Sequence, residues 1–471
     1  MQDLAIDHLR HIRELPGPRA LPLIGNLMQM HLPKIHQDME NWSREYGPLF
    51  RVSLPTATMV VVADHELVGQ ILRDRPTTFR RPSWTTEVAV EMGGIPGVFE
   101  AEGAEWRNQR RMVMQAFAPH AVKAYFPSLV TVAARLQRRW EDLAAQGAAL
   151  DLGAELRLYT VDIIAGLAFG SDVNTIETGD NAIQRHLDRI LPAVARRSLS
   201  PFPYWRYVKF ERDRQLERSV EAVKTAVYDL VAQAKARLQA DPARATPPRN
   251  MLEAMLTAAA QPDSGVTERD VAGNVLTMLL AGEDTTSNSL AWLIYLLHRH
   301  PDTLRRARAE VLEVAPDPAQ LTIEQIDRLD FVEACAHEAM RLKPPAAYLP
   351  LEALADTVVG DVEVPKGTIV WCVLRRNSVS DAYFRDANSF APQRWLDEQV
   401  NKKVAMPFGA GPRTCPGRYL ALLEIKVAMA MLLARFEIES VRTAGGGEPE
   451  EVMGFVMSPE ALEMSLRARG R

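Results

Sequence analysis

Apolar residues recur at helical spacing over residues 104–118, 121–145, 154–170, 211–239 and 267–300, where positions three and four apart share hydrophobic character. Strand-like alternation is confined to two places. Phe50-Arg-Val-Ser-Leu54 and Met59-Val-Val-Val62 flank Pro55 and predict a β-hairpin, and a second alternating run lies between Val358 and Val373. The pattern therefore predicts a mainly α fold with small β-sheets. Its longest helical stretch opens on Thr267-Glu-Arg-Asp270, a capping box, and continues to His300 before Pro301. About 33 residues at a rise of about 1.5 Å give a helix of about 50 Å, enough to cross a whole domain.

Leu15-Pro-Gly-Pro18 is a rigid turn at which the folded part is expected to begin, leaving 1–14 as an N-terminal extension. The best linker candidate, 241–249, is polar, Pro-rich and short, and reads as an interhelical loop, so 1–471 is expected to be a single domain. There is no internal repeat, and Gly445-Gly-Gly447 reads as a late turn. With 47% hydrophobic and 24% charged residues, the chain can bury a large core. A net charge of -5 gives nucleic acid no electrostatic footprint. Cys335, Cys372 and Cys415 are too few and too scattered for a disulfide framework or a zinc site, and suit a reducing compartment. The N-terminus is charged from Asp3 and lacks a signal-peptide core, while Val271 to Ala281 is broken by Asn274 and runs on into Glu283 and Asp284. These features lead us to expect a cytoplasmic monomer with no membrane span.

One cysteine stands apart. Phe408-Gly-Ala-Gly-Pro-Arg-Thr-Cys-Pro-Gly417 sets Cys415 in a loop of glycines and prolines just before the helical pattern 418–436. A helix N-terminus favours an anion, so the thiol pKa is expected to be lowered, as a metal ligand requires. Arg413 can offer a bidentate donor to a carboxylate, and the glycines permit close approach to a flat ring. A lone cysteine in a tight turn is usually a small buried hydrophobe. The whole string changes that, because Phe408, Gly411, Arg413, Cys415 and Gly417 together resemble the haem-binding loop of the cytochrome P450 family.

Three further strings follow the same resemblance. Ala281-Gly-Glu-Asp-Thr-Thr286 interrupts the long helix with a glycine costing about 1 kcal/mol against alanine. A small residue beside a groove leaves space for a diatomic ligand, and a threonine hydroxyl can replace a backbone bond or steady a water. Glu338 and Arg341 share one helical face, and Phe331, Cys335, Glu338 and Leu342 share a row, so Glu338 points where apolar residues point and needs partners. Trp106 and Arg110, spaced i,i+4, resemble the family's Trp-x-x-x-Arg element and can both reach one propionate.

The resemblance spans Leu15 to the C-terminus. It implies haem b (iron protoporphyrin IX) between the long central helix and the cysteine loop, held by Trp106, Arg110, Ala281, Phe408, Gly409, Arg413, Cys415 and Gly417, with Cys415 as iron ligand. It implies Asp284 and Thr285 as the acid-alcohol pair that delivers protons during oxygen activation, and Glu338, Arg341 and Arg394 as a structural charge lattice. Val98, Phe99, Ala347 and Phe455 lie where the family contacts substrate, and their character suggests an apolar small molecule. No flavin or nicotinamide module is recognisable, so a ferredoxin or flavodoxin-type donor with its reductase is implied, reaching a basic group formed by Arg107, Arg111, Lys402, Lys403 and Arg418. Random scatter would give such a group as readily.

Three positions depart from the family pattern. Leu351 replaces a propionate-binding Arg, Gln393 replaces a lattice Glu, and Pro416 removes a possible N–H donor to the sulfur. The expected activity is insertion of one oxygen atom of O2 by hydroxylation or epoxidation. A hydrogen-peroxide-driven peroxygenase would not need the Asp284-Thr285 pair, and a non-catalytic haem sensor or apolar-ligand carrier would be expected to carry a signalling module.

Overall fold

The computed structural model describes residues 9–470 except Thr56, Ser171, Asp180, Asn181, Leu199, Pro201, Glu398 and Gln399. Helices Gly103–Ala116, Phe126–Ala145, Leu152–Phe169, Glu211–Ala240 and Glu268–Arg299 occupy the five patterned segments. The pattern over 121–145 divides in two. Pro119–Ala124 is a separate short helix, because Pro127 sits in the first turn of the next one and has no N–H to continue the earlier ladder. A short 3₁₀ turn, Pro242–Arg244, occupies the Pro-rich connection between Glu211–Ala240 and Met251–Ala259.

Helix Leu152–Phe169 buries Leu156, Tyr159, Ile163 and Leu167 along one face and Thr160, Ile164 and Ala168 beside it, and packs along Glu268–Arg299. In the latter, every residue from Leu290 to Leu297 is buried, so this half has no solvent face. A helix apolar all round belongs inside the protein, and these two form the middle of the main core.

The hairpin Leu49–Ser53 with Thr58–Val62 forms as expected and extends into a five-stranded sheet through Ile369–Val373, Tyr348–Ala353 and Phe79–Arg80. Thr58–Val62 pairs in parallel with Ile369–Val373, and the other pairs are antiparallel. Of the expected extension 1–14, residues 1–8 lie outside the described residues. Arg10 and His11 pair with Val362 and Glu363, and Ile12 is buried, so ordered chain begins upstream of the Leu15 turn. Glu451–Met453 and Met457–Pro459 form a small hairpin that carries Phe455 at its tip.

A buried charge cluster joins that hairpin to the helix Ile35–Tyr46. Arg375, 6% exposed, donates to both oxygens of Glu40 at 2.8 and 2.9 Å and to both of Glu451 at 2.7 and 2.9 Å. His36 Nε2 lies 2.8 Å from Glu451, and Lys343 pairs with the same carboxylate. Among the described residues, no helix is long and apolar enough to cross a membrane.

Candidate active site

In the central helix, Ala281 keeps exposed surface and Thr285 is half-exposed, although Leu279, Glu283 and Thr286 around them are buried. One turn apart, Ala281 and Thr285 define the open side, and Thr285 Oγ1 donates to the Ala281 carbonyl at 2.7 Å. The glycine has a different reason from the expected one. An ideal Cβ on Gly282 would lie 2.5 Å from Cδ1 of Ile164, so its space is filled by helix Leu152–Phe169, and Ala281 alone offers room on the open side. Asp284 faces a polar cavity of about 160 Å³ shared with Arg157, Leu187, Leu191, Pro192 and Glu283. That is room for several waters beside a carboxylate.

The cysteine loop is fixed from both ends. Gly409 and Gly411 take φ of +71° and +70°. At Gly411 a Cβ would stand 2.3 Å from the Leu72 carbonyl, so this glycine lets the loop rest on the end of helix His65–Arg73. The Cys415 N–H donates to Phe408 at 3.0 Å, and Arg110 Nη2 donates to the Thr414 carbonyl at 2.7 Å. Cys415 itself is accessible, yet burial pushes its thiol pKa up by more than the Gly417 N–H, Arg110 and Arg418 pull it down. That direction is opposite to the lowering expected from a helix N-terminus: helix Arg418–Arg435 starts three residues later, and burial is the largest influence on the thiol.

Beside the loop lies a knot of guanidinium groups. Arg413 pairs with Glu102, donates to the Ala101 carbonyl at 2.6 Å and stacks 4.7 Å above the Trp106 ring. Trp106 thus braces Arg413, while Arg110, its expected companion, turns to the cysteine loop. Arg75 is 3% exposed, and its Nε and Nη2 have no hydrogen-bond partner; Glu102 is 3.7 Å away. Burial, then repulsion from Arg75, pushes Arg81 down to about 9 and Arg413 down to about 10. Burial meanwhile pushes the nearby Glu100 carboxyl up. Cations outnumber the carboxylates that could neutralise them, which is the donor set a dianionic group such as a haem with two propionates would satisfy. The residues present fit the cofactor.

Leu351 is fully buried in the core of the five-stranded sheet, so the Arg absent there has no substitute at that position. Arg75 and Arg81 bring positive charge from another segment, and sequence reasoning missed both. Arg75 reads as an ordinary cation after a helix end. Arg81 carried a faint signal, since at strand period it shares the inward side with buried Phe79.

The expected substrate positions divide. Phe99 and Phe455 meet with ring centroids 5.9 Å apart, and Val98 packs half-buried against the main core. Ala347 is 1% exposed inside a separate core cluster with Met453 and Met457. The lattice is complete around one carboxylate. Glu338 accepts from Arg341 twice at 2.8 Å, Arg394 at 3.0 Å, Trp395 Nε1 at 2.8 Å and the Ala391 N–H at 2.9 Å. Arg107, Arg111, Lys402, Lys403 and Arg418 are all exposed.

A family model described as Cytochrome P450 matches residues 15–466. The chain is 29% identical over 406 residues to Cytochrome P450 714C3 of Oryza sativa subsp. japonica, covering 84% of this chain and 77% of that protein. It is 28% identical to the mitochondrial 25-hydroxyvitamin D-1 alpha hydroxylase of Rattus norvegicus, covering 91% and 89%. Against the bifunctional cytochrome P450/NADPH--P450 reductase of Bacillus cereus it is 27% identical over 91% of this chain, which spans 40% of that protein. The crystal structure of the cytochrome P450DA heme domain superposes with a TM-score of 0.85 over 98% of this chain and 99% of that one, at 23% identity, a likeness of fold.

Proposed function

Since the chain belongs to the cytochrome P450 family, and is thus a haem-dependent monooxygenase, we propose that Cys415 is the iron ligand and that the substrate is an apolar small molecule. The observation that carries this reading is the accessible Cys415 thiol beside an under-neutralised knot of buried arginines. Arg75, Arg81 and Arg413 would hold the propionates of haem b, with Trp106 bracing Arg413 and Arg110 fixing the cysteine loop. Phe408, Gly409 and Gly417 would line the loop side of the haem, and Ala281 the opposite side. When bound, the thiolate-ligated haem supplies the activation of O2 that puts one oxygen atom into the substrate by hydroxylation or epoxidation.

The chain's own residues supply position and protons. Asp284 exchanges protons with solvent through its cavity and, in its protonated form, passes one toward Thr285. The Thr285 hydroxyl, now turned to the Ala281 carbonyl, rotates to release its own proton toward the open side of the helix as it takes up the one from Asp284. Val98, Phe99 and Phe455 exclude water and favour an apolar substrate. We assign electron delivery to a ferredoxin or flavodoxin-type donor with its reductase, steered by the exposed basic residues Arg107, Arg111, Lys402, Lys403 and Arg418. The protein is assigned as a cytoplasmic monomer with one catalytic domain over 1–471.

The test is the absorption spectrum of the reduced protein with carbon monoxide. A strongly red-shifted Soret band in the wild type, lost in Cys415→Ala at equal haem content, supports the assignment. The same band in both proteins would remove Cys415 as ligand. Product formation with hydrogen peroxide but none with electrons and O2 would replace the monooxygenase reading by a peroxygenase.

A further inference from the structure

The loop bearing Val98 and Phe99 is held to the central helix by one side chain that carries no role so far. Asn274 is 1% exposed and accepts from the Val98 N–H at 3.0 Å. Its amide nitrogen donates to the Asp270 carbonyl at 2.7 Å and to Gln109 Oε1 at 2.9 Å. These partners fix its orientation, because the Val98 N–H can only donate and the Asp270 carbonyl can only accept. Gln109, also 1% exposed, spends its own donor on Asp270 Oδ1 at 3.0 Å and Glu105 at 3.1 Å. It sits on helix Gly103–Ala116 between Trp106 and Arg110.

Backbone contact next to this amide is as close as glycine allows. A Cβ on Gly97 would lie 2.1 Å from Thr277 Oγ1 and 2.6 Å from the Gly273 carbonyl, and one on Gly273 would lie 2.2 Å from the Pro96 carbonyl. The loop therefore meets the helix by glycine against glycine, and Asn274 locks the register. On the other side, Arg81 Nε donates to the Phe99 carbonyl at 2.7 Å.

We propose that Asn274 is a positioning residue for substrate recognition: acting through Val98, it sets the distance between the Val98–Phe99 wall and the central helix, and so the size of apolar body the site accepts. It touches neither substrate nor cofactor. The proposal rests on the reading that Val98 and Phe99 face an apolar substrate. An amide is suited to the task because it supplies an acceptor to the loop and two donors to the helices from one buried group. Aspartate in its place would set an acceptor against the Asp270 carbonyl, and alanine would leave the Val98 N–H without its partner.

Two azoles that bind the same iron but differ in bulk test this: imidazole, too small to need the loop, and the triaryl azole clotrimazole. Dissociation constants are read from the Soret shift of haem-loaded wild type, Asn274→Ala and Gly97→Ala. We expect the wild type to prefer clotrimazole, and both variants to weaken it by about tenfold, the scale of one buried hydrogen bond. Imidazole affinity and the reduced carbon monoxide spectrum should stay as they are. Gly97→Ala displaces the loop without altering the amide, so it decides the matter should Asn274→Ala hold haem poorly. Unchanged clotrimazole binding in the variants, or equal weakening of both azoles, overturns the proposal. A wild type with no preference for clotrimazole overturns instead the apolar-site reading beneath it.

Discussion

At the scale of single residues, position and desolvation matter more than residue type. Arg75 resembles any surface arginine in sequence and Arg81 carries only a faint strand-period signal, yet their guanidinium groups are buried together with too few anions. This gives a prediction with two signs. Replacing Arg75 or Arg81 with Met removes like-charge repulsion and should leave the haem-free protein as stable or more so. The same change should speed haem loss to an acceptor globin about tenfold, the effect of one charge-assisted hydrogen bond. Equal haem retention in both variants and wild type would sink the assignment of these cations to the propionates. Cys415 was legible because its neighbours form a fixed string, but its proton affinity was not. That depends first on burial, which packing with other segments decides, and then on groups such as Arg110 from a distant helix.

At the scale of elements, periodicity served well where a helix has one buried stripe and less well where elements meet. The row Phe331, Cys335, Glu338 and Leu342 is buried as its spacing predicts. Gly282 was visible as a costly residue, but its reason, the tip of Ile164, belongs to another helix. So does Glu424, which lies where helix Arg418–Arg435 meets Thr286 of the central helix. Burial pushes its carboxyl up to about 8, against a hydrogen bond from Thr286 that favours the anion. A raised folded pKa means that the native state keeps a proton the unfolded chain releases. This contribution is complete below the unfolded value of 4.5 and is lost as pH rises through about 8. Glu424→Gln should therefore gain stability over wild type across that interval, by about 1.4 kcal/mol for each pH unit between the two pKa values. Urea melts at pH 5 and pH 8.5 check it, and parallel curves for the two proteins would refute it.

At the scale of the whole molecule, the cluster of Arg375, Glu40, Glu451 and His36 closes the structure on itself. Burial pushes the Glu451 carboxyl up, yet hydrogen bonds with His36 and Arg375 and the charges of Arg375 and Lys343 together hold it well below the usual carboxylate range. Its contribution is present above the unfolded value of 4.5 and is lost as pH falls below it. Glu451→Gln should cost about 3 kcal/mol at pH 7, and the gap to wild type should narrow in acid. Hydrogen exchange should rise together in Ile35–Tyr46 and in the hairpin Glu451–Met453 with Met457–Pro459. Exchange that rises in only one of them would show that the cluster does not couple the two. No sequence window could reveal this pairing, because His36 and Glu451 stand 415 positions apart. That separation has a consequence during synthesis. At a ribosomal rate of about 5–20 residues per second, His36 leaves the exit tunnel about 20 to 80 s before its partner exists. Through that interval the first long helix has no buried acid to close upon, and Cys415, which we propose as the iron ligand, has yet to emerge for most of it, so on that assignment haem capture comes late in the same interval.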